Sequence, residues 1–527
     1  MPDVERPHPT PATVTRSIPV IGAFGRTIGL AGLVGLAAGA GAVIFYFALQ
    51  ATQAYVQRML IGLSSPAVLG EPDVVSVAVG AYRPWLLLVL PALGGLASGL
   101  ITWMWAPEAA GHGTDAAIDA YHRKAGYIRP QVPFIKAVTA ALVIGSGGSG
   151  GREGPIAQIG AGMGSFLGMA FNLSQKERRT LMAAGMGAGV GAIFRAPLAG
   201  ALFAGEILYS TAFIEPEVLL PAIVASIVAY SVFGTAFGWE SLLRVPHVGF
   251  SSPLELVPYT VLAAVATLAG LLFVRSFYGV HSVFARWSAP SWIKPCVGAC
   301  MTGGILFFVP GAGFTGYGEI QEALLGHRSV HTLLILAMLR IITTSFSIGS
   351  GGSGGVFGPS MVIGGCLGGA VGMFFYQAWP GLIQNPASFV IVGMAGFFAG
   401  IAHAPISTII MVSEMTGNYG LLVPAMWVCS ITFLTSTGVS LYRLQVASRG
   451  DSPAHQARPV PGCQGRGIHD KACGVRALGG QSRQPPGLSG VEPPSLLSGH
   501  RLEGASGGGL LVRPGQGTPV EVRGTRR

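Results

Sequence analysis

One seven-residue loop occurs twice in this chain. Gly-Ser-Gly-Gly-Ser-Gly-Gly stands at 145–151 and again at 349–355, and each copy is followed two residues later by Gly-Pro, at Gly154–Pro155 and Gly358–Pro359. A glycine-rich loop ahead of an early proline marks a helix start. The first turn of such a helix has unpaired amide N–H groups and the positive end of the helix dipole. It is a place where an anion binds, and glycines let the anion come close. Glu153 sits in the first of these turns, with Arg152 beside it and few other charges nearby. A carboxylate there can occupy an anion site as an anion would, and protonation would release it. That is the chemistry of a gate.

The elements that position these turns are apolar. Residues 27–57, 85–104 and 256–274 contain no Asp, Glu, Lys or Arg, and between Arg340 and Arg443 the only such residue is Glu414. A bilayer-crossing helix needs roughly 20 apolar residues. The long uncharged stretches are broken by glycine and proline, the pattern of discontinuous helices lining a path. The expected fold is therefore an all-α integral membrane protein. Ala196–Pro197 is matched by Ala404–Pro405 and Glu206 by Glu414, so two halves carry the same ordered signals. The sequence leaves open whether the halves run parallel or inverted. Ser174 and Glu177 have the spacing of a capping box at a helix start, and His403 reads as a helix-start residue.

Composition excludes most other classes. Of 527 residues only 10% are charged and 50% are hydrophobic, against about 25% charged in soluble domains. Glycine contributes 80 residues without a collagen period. Cys296, Cys300, Cys366 and Cys429 lie in apolar stretches and read as small hydrophobes. The spacing of Cys463, His469 and Cys473 fits no standard zinc pattern, so no metal and no cofactor is expected. Basic residues are dispersed and not interleaved with aromatics, which argues against a nucleic-acid partner. Within the apolar segments no Asp pair, His cluster or Ser/His arrangement points to an enzyme. A cation carrier would need acidic groups or helix C-termini at the site.

These motifs together resemble the CLC family of chloride channels and chloride/proton exchangers, prokaryotic type. Gly151-Arg152-Glu153-Gly154-Pro155 looks like the family's gating-glutamate motif, Gly354-Gly355-Val356-Phe357-Gly358-Pro359 like its second pore motif, and Gly111-His112-Gly113 like its first. Tyr442 stands in the place of the central pore tyrosine. The resemblance covers residues 25–455. It implies an inverted repeat of short tilted helices, chloride (and other small anions) as the transported substrate, and a homodimer in the lipid bilayer with one pore per subunit. It assigns gating to Glu153, and anion binding to the Val356 and Phe357 amides and the Tyr442 hydroxyl. Gly154 and Gly358 are counted with them among the anion-binding residues, as is Arg152, which either adds positive potential or snorkels to water.

Two departures bear on function. His112 replaces the usual pore serine, with Asp115 in the place of proline; it either donates to the anion or faces away while the backbone does the work. Ile207 occupies the position of the exchangers' inner proton-transfer glutamate, and Glu206, one residue earlier, is a weak substitute. The expectation is transmembrane chloride transport of the voltage-gated channel type, with a chloride/proton antiporter as the alternative. By region, 1–25 reads as a cytosolic N-terminal segment without a cleavable signal peptide, 26–446 as the pore domain, and 447–527 as a basic, disordered cytosolic tail without a CBS pair. That tail has the composition of a frameshifted GC-rich reading frame. From Arg443 onward lie 12 basic and 5 acidic residues, which supply most of the net +10. A basic tail beside the last membrane helix places both termini in the cytosol and the protein in the cell membrane, multi-pass.

Overall fold

The uncharged stretches fold as helices because a chain in hydrocarbon must satisfy its own backbone polar groups. The computed structural model describes residues 18–246, 248–379 and 381–456. Its first series of helices is α1 (Ile18–Gln53), α2 (Leu86–Trp105), α3 (Thr114–Arg123), α4 (Val132–Gly145), α5 (Glu153–Ala170), α6 (Gln175–Phe194), α7 (Pro197–Glu206) and α8 (Pro216–Phe237). The second is α9 (Leu256–Arg286), α10 (Lys294–Phe308), α11 (Tyr317–Leu324), α12 (Val330–Gly349), α13 (Phe357–Ala378), α14 (Ala387–Ala402), α15 (Pro405–Thr416) and α16 (Leu422–Thr435). The two series correspond member by member. Both glycine loops lead into a fifth helix of their series, and both Ala-Pro pairs open the seventh.

The halves meet through equivalent residues. Gly151 and Gly355 form an isolated antiparallel bridge, each amide donating to the other's carbonyl at 2.7 Å. Ser149 Oγ contacts Thr344 Oγ1 at 2.8 Å, and its counterpart Ser353 Oγ accepts from Thr139 Oγ1 at 3.0 Å. The antiparallel bridge between equivalent glycines fits a pseudo-two-fold relation between the halves, as an inverted repeat requires.

Six helical stretches among the described residues are long and apolar enough to cross a membrane. Four shorter apolar helices, α4, α10, α14 and α16, have 14 to 16 residues and stop short of a full crossing. Glycine lets the helices of each half touch backbone to backbone. A Cβ added at Gly160 on α5 would strike the Gly185 carbonyl of α6, and one at Gly364 on α13 would strike the Gly393 carbonyl of α14.

The described part of α1 opens at Ile18, and its membrane-length stretch at Gly25. At the C-terminal side the chain stays packed beyond residue 446. Ser452 Oγ meets His122 Nδ1 at 2.7 Å, and Arg179 donates to the Ala454 carbonyl at 3.0 Å. The reading of residues 457–527 as a frameshifted, disordered tail, and the Cys463–Cys473 spacing, lie outside the described residues. The capping box at Ser174 and Glu177 is formed. His403 ends α14 in a left-handed conformation at φ 56°, as its counterpart Arg195 ends α6 at the same φ. Of the four cysteines, Cys366 and Cys429 are buried in the core, while Cys300 is exposed.

Candidate functional site

The Gly151–Gly355 bridge sets the starts of α5 and α13 side by side. The Glu153 carboxylate, 2% exposed, reaches across to the other half. Its Oε2 accepts the Gly358 amide at 3.0 Å, and its Oε1 accepts the Tyr317 hydroxyl. A negative group from the first half therefore occupies the free amide turn of the second. Charge-assisted bonds of this kind, aided by the helix dipole, hold a carboxylate or any small anion in the same place.

The Phe357 ring anchors this turn. It packs at ring-centroid distances of 3.9 Å from Phe398 and 5.0 Å from Phe194. The side chain thus points into an aromatic cluster. Val356 and Phe357 precede any carbonyl four residues back within α13, so their amides are free of helical bonding.

A second cluster of polar atoms lies nearby. Tyr442 is 1% exposed, and its buried Oη has Thr114 as its polar neighbour. The His112 ring lies 5.5 Å from the Tyr442 ring. His112 Nε2 faces Asp115 Oδ2 at 3.3 Å, while its Nδ1 is buried and unpartnered. Buried polar atoms are nearly always paired, so the unpartnered His112 Nδ1 stands out beside the Tyr442 ring. Tyr442 sits after α16 in a non-helical segment held by the Tyr278 hydroxyl, which donates to the Leu441 carbonyl at 2.7 Å.

Arg152 is the N-terminal flank of α5, 2% exposed, and it does not snorkel to water. It pairs with Glu71 Oε1 at 2.5 Å, and its guanidinium lies over the rings of Tyr46 and Tyr317 at 5.4 and 5.1 Å. Such burial is possible because the charge is paired and stacked. Only its Nη1 meets Glu71, while Nε and Nη2 are buried without a hydrogen-bond partner, and no hydrogen bond joins it to Glu153.

This constellation of two glycine-loop helix starts, a crossing carboxylate and a non-helical tyrosine agrees with the known-protein comparisons. The family model described as voltage gated chloride channel matches residues 94–437, well over half of the chain. The chain belongs to that family, the CLC family. Among CLC relatives, the voltage-gated ClC-type chloride channel ClcB of Salmonella typhimurium is 30% identical over 71% of this chain and 90% of its own length. The H(+)/Cl(-) exchange transporter ClcA of Cronobacter sakazakii is 31% identical over 66% of this chain and 77% of its own. A crystal structure of a slow cyanobacterial Cl-/H+ antiporter superposes with a TM-score of 0.70 at 22% identity, over 87% of this chain and 99% of that one. The CLC fold is thus common to all of them.

The CLC chain brings Glu153, Gly154, Val356, Phe357 and Gly358 together, and places Tyr442 with His112. Ile207 is fully buried at the end of α7, and its carbonyl accepts from Gln445 Nε2 at 3.0 Å. Glu206 has both carboxylate oxygens on the first amides of α15, at Ile406 (3.0 Å) and Ser407 (2.7 Å). It serves as a helix cap.

Sequence reasoning missed Tyr317, Glu71, Lys136 and Arg340. Lys136 Nζ holds the carbonyls of Ala109 and Gly111 at 3.0 and 2.6 Å, ahead of α3. Arg340 holds the Thr315 carbonyl at 2.8 Å ahead of α11, and the Gly313 carbonyl as well. These two buried cations stand 204 residues apart, the offset of the glycine loops themselves. That offset was the signal that could have found them.

Proposed function

We propose that the chain moves chloride across the membrane along a path through the first turn of α13, with Glu153 as its gate. The observation that carries this is the Glu153 carboxylate seated on the Gly358 amide and the Tyr317 hydroxyl. Chloride takes the same donors when the carboxylate leaves, and protonation weakens the carboxylate's hold. The Phe357 and Val356 amides and the Tyr442 hydroxyl extend the path with neutral donors, which bind an anion without trapping it. The names of the relatives support chloride as the substrate; other small anions fit the same chemistry, and no cofactor is needed.

Of the two modes found among those relatives, we favour a channel of the voltage-gated type. Ile207 carries no titratable group, and both oxygens of Glu206 are engaged as a cap. The reading includes a homodimer in the cell membrane, one path per subunit, with both ends of the chain in the cytosol. Chloride efflux from reconstituted vesicles tests it. Glu153→Ala is expected to keep flux and lose its response to pH; an unchanged pH response removes Glu153 from the gate. An imposed chloride gradient is expected to drive little uphill proton movement. Strong, Glu153-dependent proton pumping would establish the antiporter instead.

A further inference from the structure

A cavity of about 270 Å³ lies where α2 and α9 end and α10 begins. Both α2 and α9 are apolar and long enough to cross a bilayer, so their shared end marks a membrane surface. Trp103 and Trp105 at the end of α2 and Trp287 just after α9 are exposed there. Tryptophan rings so placed sit at the level of lipid headgroups. The cavity is electrically one-sided. From Leu256 to Gly318 the chain has no Asp or Glu, while Arg275, Arg286 and Lys294 are basic. An excess of Arg and Lys around a short connection places that connection in the cytosol.

Lys294 and Ser291 line the cavity, and among the described residues neither side chain has a hydrogen-bond or ion-pair partner. Glu108, the acid closest in sequence to the end of α2, is already bonded to Arg129. A cation without an internal partner, next to a hydroxyl, suits a group with one negative charge and oxygens that only accept, which is a phosphate diester. We propose that the cavity binds the phosphate of an anionic phospholipid from the cytosolic leaflet, with Lys294 as its counter-charge and the Ser291 hydroxyl as a donor.

The rest of the lining favours a lipid over a free phosphate ester. Trp103, Pro107, Phe284 and Ala285 are apolar and suit the glycerol and the first acyl carbons. At about 30 Å³ for each water, the space takes several waters, and so a phosphate with its glycerol. Basic recesses between membrane helices on the cytosolic side are where anionic headgroups settle. Another part of the wall is Gly349, Ser350 and Gly351, the opening of the second glycine loop. His281, also in the lining, is tied to that loop, with Nδ1 3.1 Å from the Gly349 carbonyl. An occupant therefore rests against the segment that leads into α13. The site stands apart from the Glu153 gate, and its occupancy can be read without measuring flux.

The test titrates the whole protein in neutral detergent with phosphatidylglycerol and counts bound lipid by native mass spectrometry. One lipid is expected to bind more tightly than the rest. Lys294→Gln should weaken it by about fivefold, the contribution of one basic side chain beside an anionic headgroup. Lys294→Arg should keep it. Lys176→Gln removes the same charge from an exposed pair with Glu217 elsewhere and should leave the tight lipid in place. Phosphatidylcholine, with the same phosphate but no net charge, should bind about fivefold or more weakly than phosphatidylglycerol. Glycerophosphoglycerol, the soluble headgroup, should not displace the lipid at equal concentration. Unchanged binding in Lys294→Gln overturns the proposal, as does an equal loss in Lys176→Gln or equal affinity for the two lipids. Displacement by the soluble headgroup at equal concentration overturns it too, and gives the cavity to a free phosphate ester. The lipid and headgroup comparisons use the unaltered protein, so they decide the matter even where a variant does not fold.

Discussion

Glu206 and Glu414 hold each other's helices. Glu206, at the end of α7, accepts the Ile406 and Ser407 amides that begin α15; Glu414, on α15, accepts the Leu198 and Ala199 amides that begin α7, at 3.3 and 2.9 Å. Four orphaned helix-start donors are satisfied by two carboxylates in a reciprocal exchange. Removing either acid frees the start of the opposite helix.

The two caps are unequal, and this gives a stability prediction. Glu206 is fully buried while Glu414 is only half-buried. Glu206→Ala strands desolvated amides and should cost about 2–3 kcal/mol. Glu414→Ala leaves amides that water reaches and should cost about 1 kcal/mol. Thermal unfolding in detergent measures both, and a larger loss for Glu414→Ala would contradict the assignment.

Tyr317→Phe deletes the hydroxyl on Glu153 Oε1 and little else, because the ring stays under Arg152. A hydrogen bond to a charged group contributes about 1.5–3 kcal/mol. The closed position of the gate should weaken by about tenfold or more. Chloride efflux from vesicles at neutral pH should rise, with its pH response shifted toward higher pH. Unaltered efflux would mean that the Gly358 amide alone holds the carboxylate.

Gly355→Ala should abolish folded protein. The added Cβ would lie 2.7 Å from the Gly154 nitrogen and 2.8 Å from the Gly151 oxygen, backbone atoms that cannot turn aside. Gly304→Ala on α10 meets nothing within 4 Å. It should be neutral, or stabilising by up to about 1 kcal/mol through the unfolded chain. Yield and elution profile of the two variants decide the matter. Similar behaviour would show that the seam has slack.

Ending the chain after Gln456 should leave the pore region folded, whereas ending it at residue 446 should not. The second cut deletes the Ser452–His122 contact, the Arg449–Glu217 pair at 2.9 Å and the Arg179 bond to Ala454. Chromatography of both truncations reads this directly. Equal stability would return the boundary to 446.

Much of this was legible because the repeat is written in residues with few other uses. Identical glycine loops, paired Ala-Pro steps and paired acids announce two equivalent halves before any coordinate is known. The position of Glu153 followed from the first loop alone. Other partners were invisible for a physical reason. Tyr317 lies 164 residues from Glu153 in sequence, and an ordinary tyrosine at a helix start has no pattern that says what it will touch. Glu71 comes from a loop with no periodicity at all, yet it decides where Arg152 points. His112 was ambiguous because only folding brings the Tyr442 ring alongside it.

The seam between Gly151 and Gly355 also limits how such a molecule can diversify. Each of its backbones is the other's wall, so a lineage that altered one loop would have to alter its twin in the same step. Drift is therefore nearly closed to the part of the path built from main chain. It stays open at the side chains hung around that frame, such as Tyr317, where, on the proposed path, a single replacement would retune the ion's reception without disturbing the scaffold. New ion preferences in this architecture should arise at those hung positions, one residue at a time.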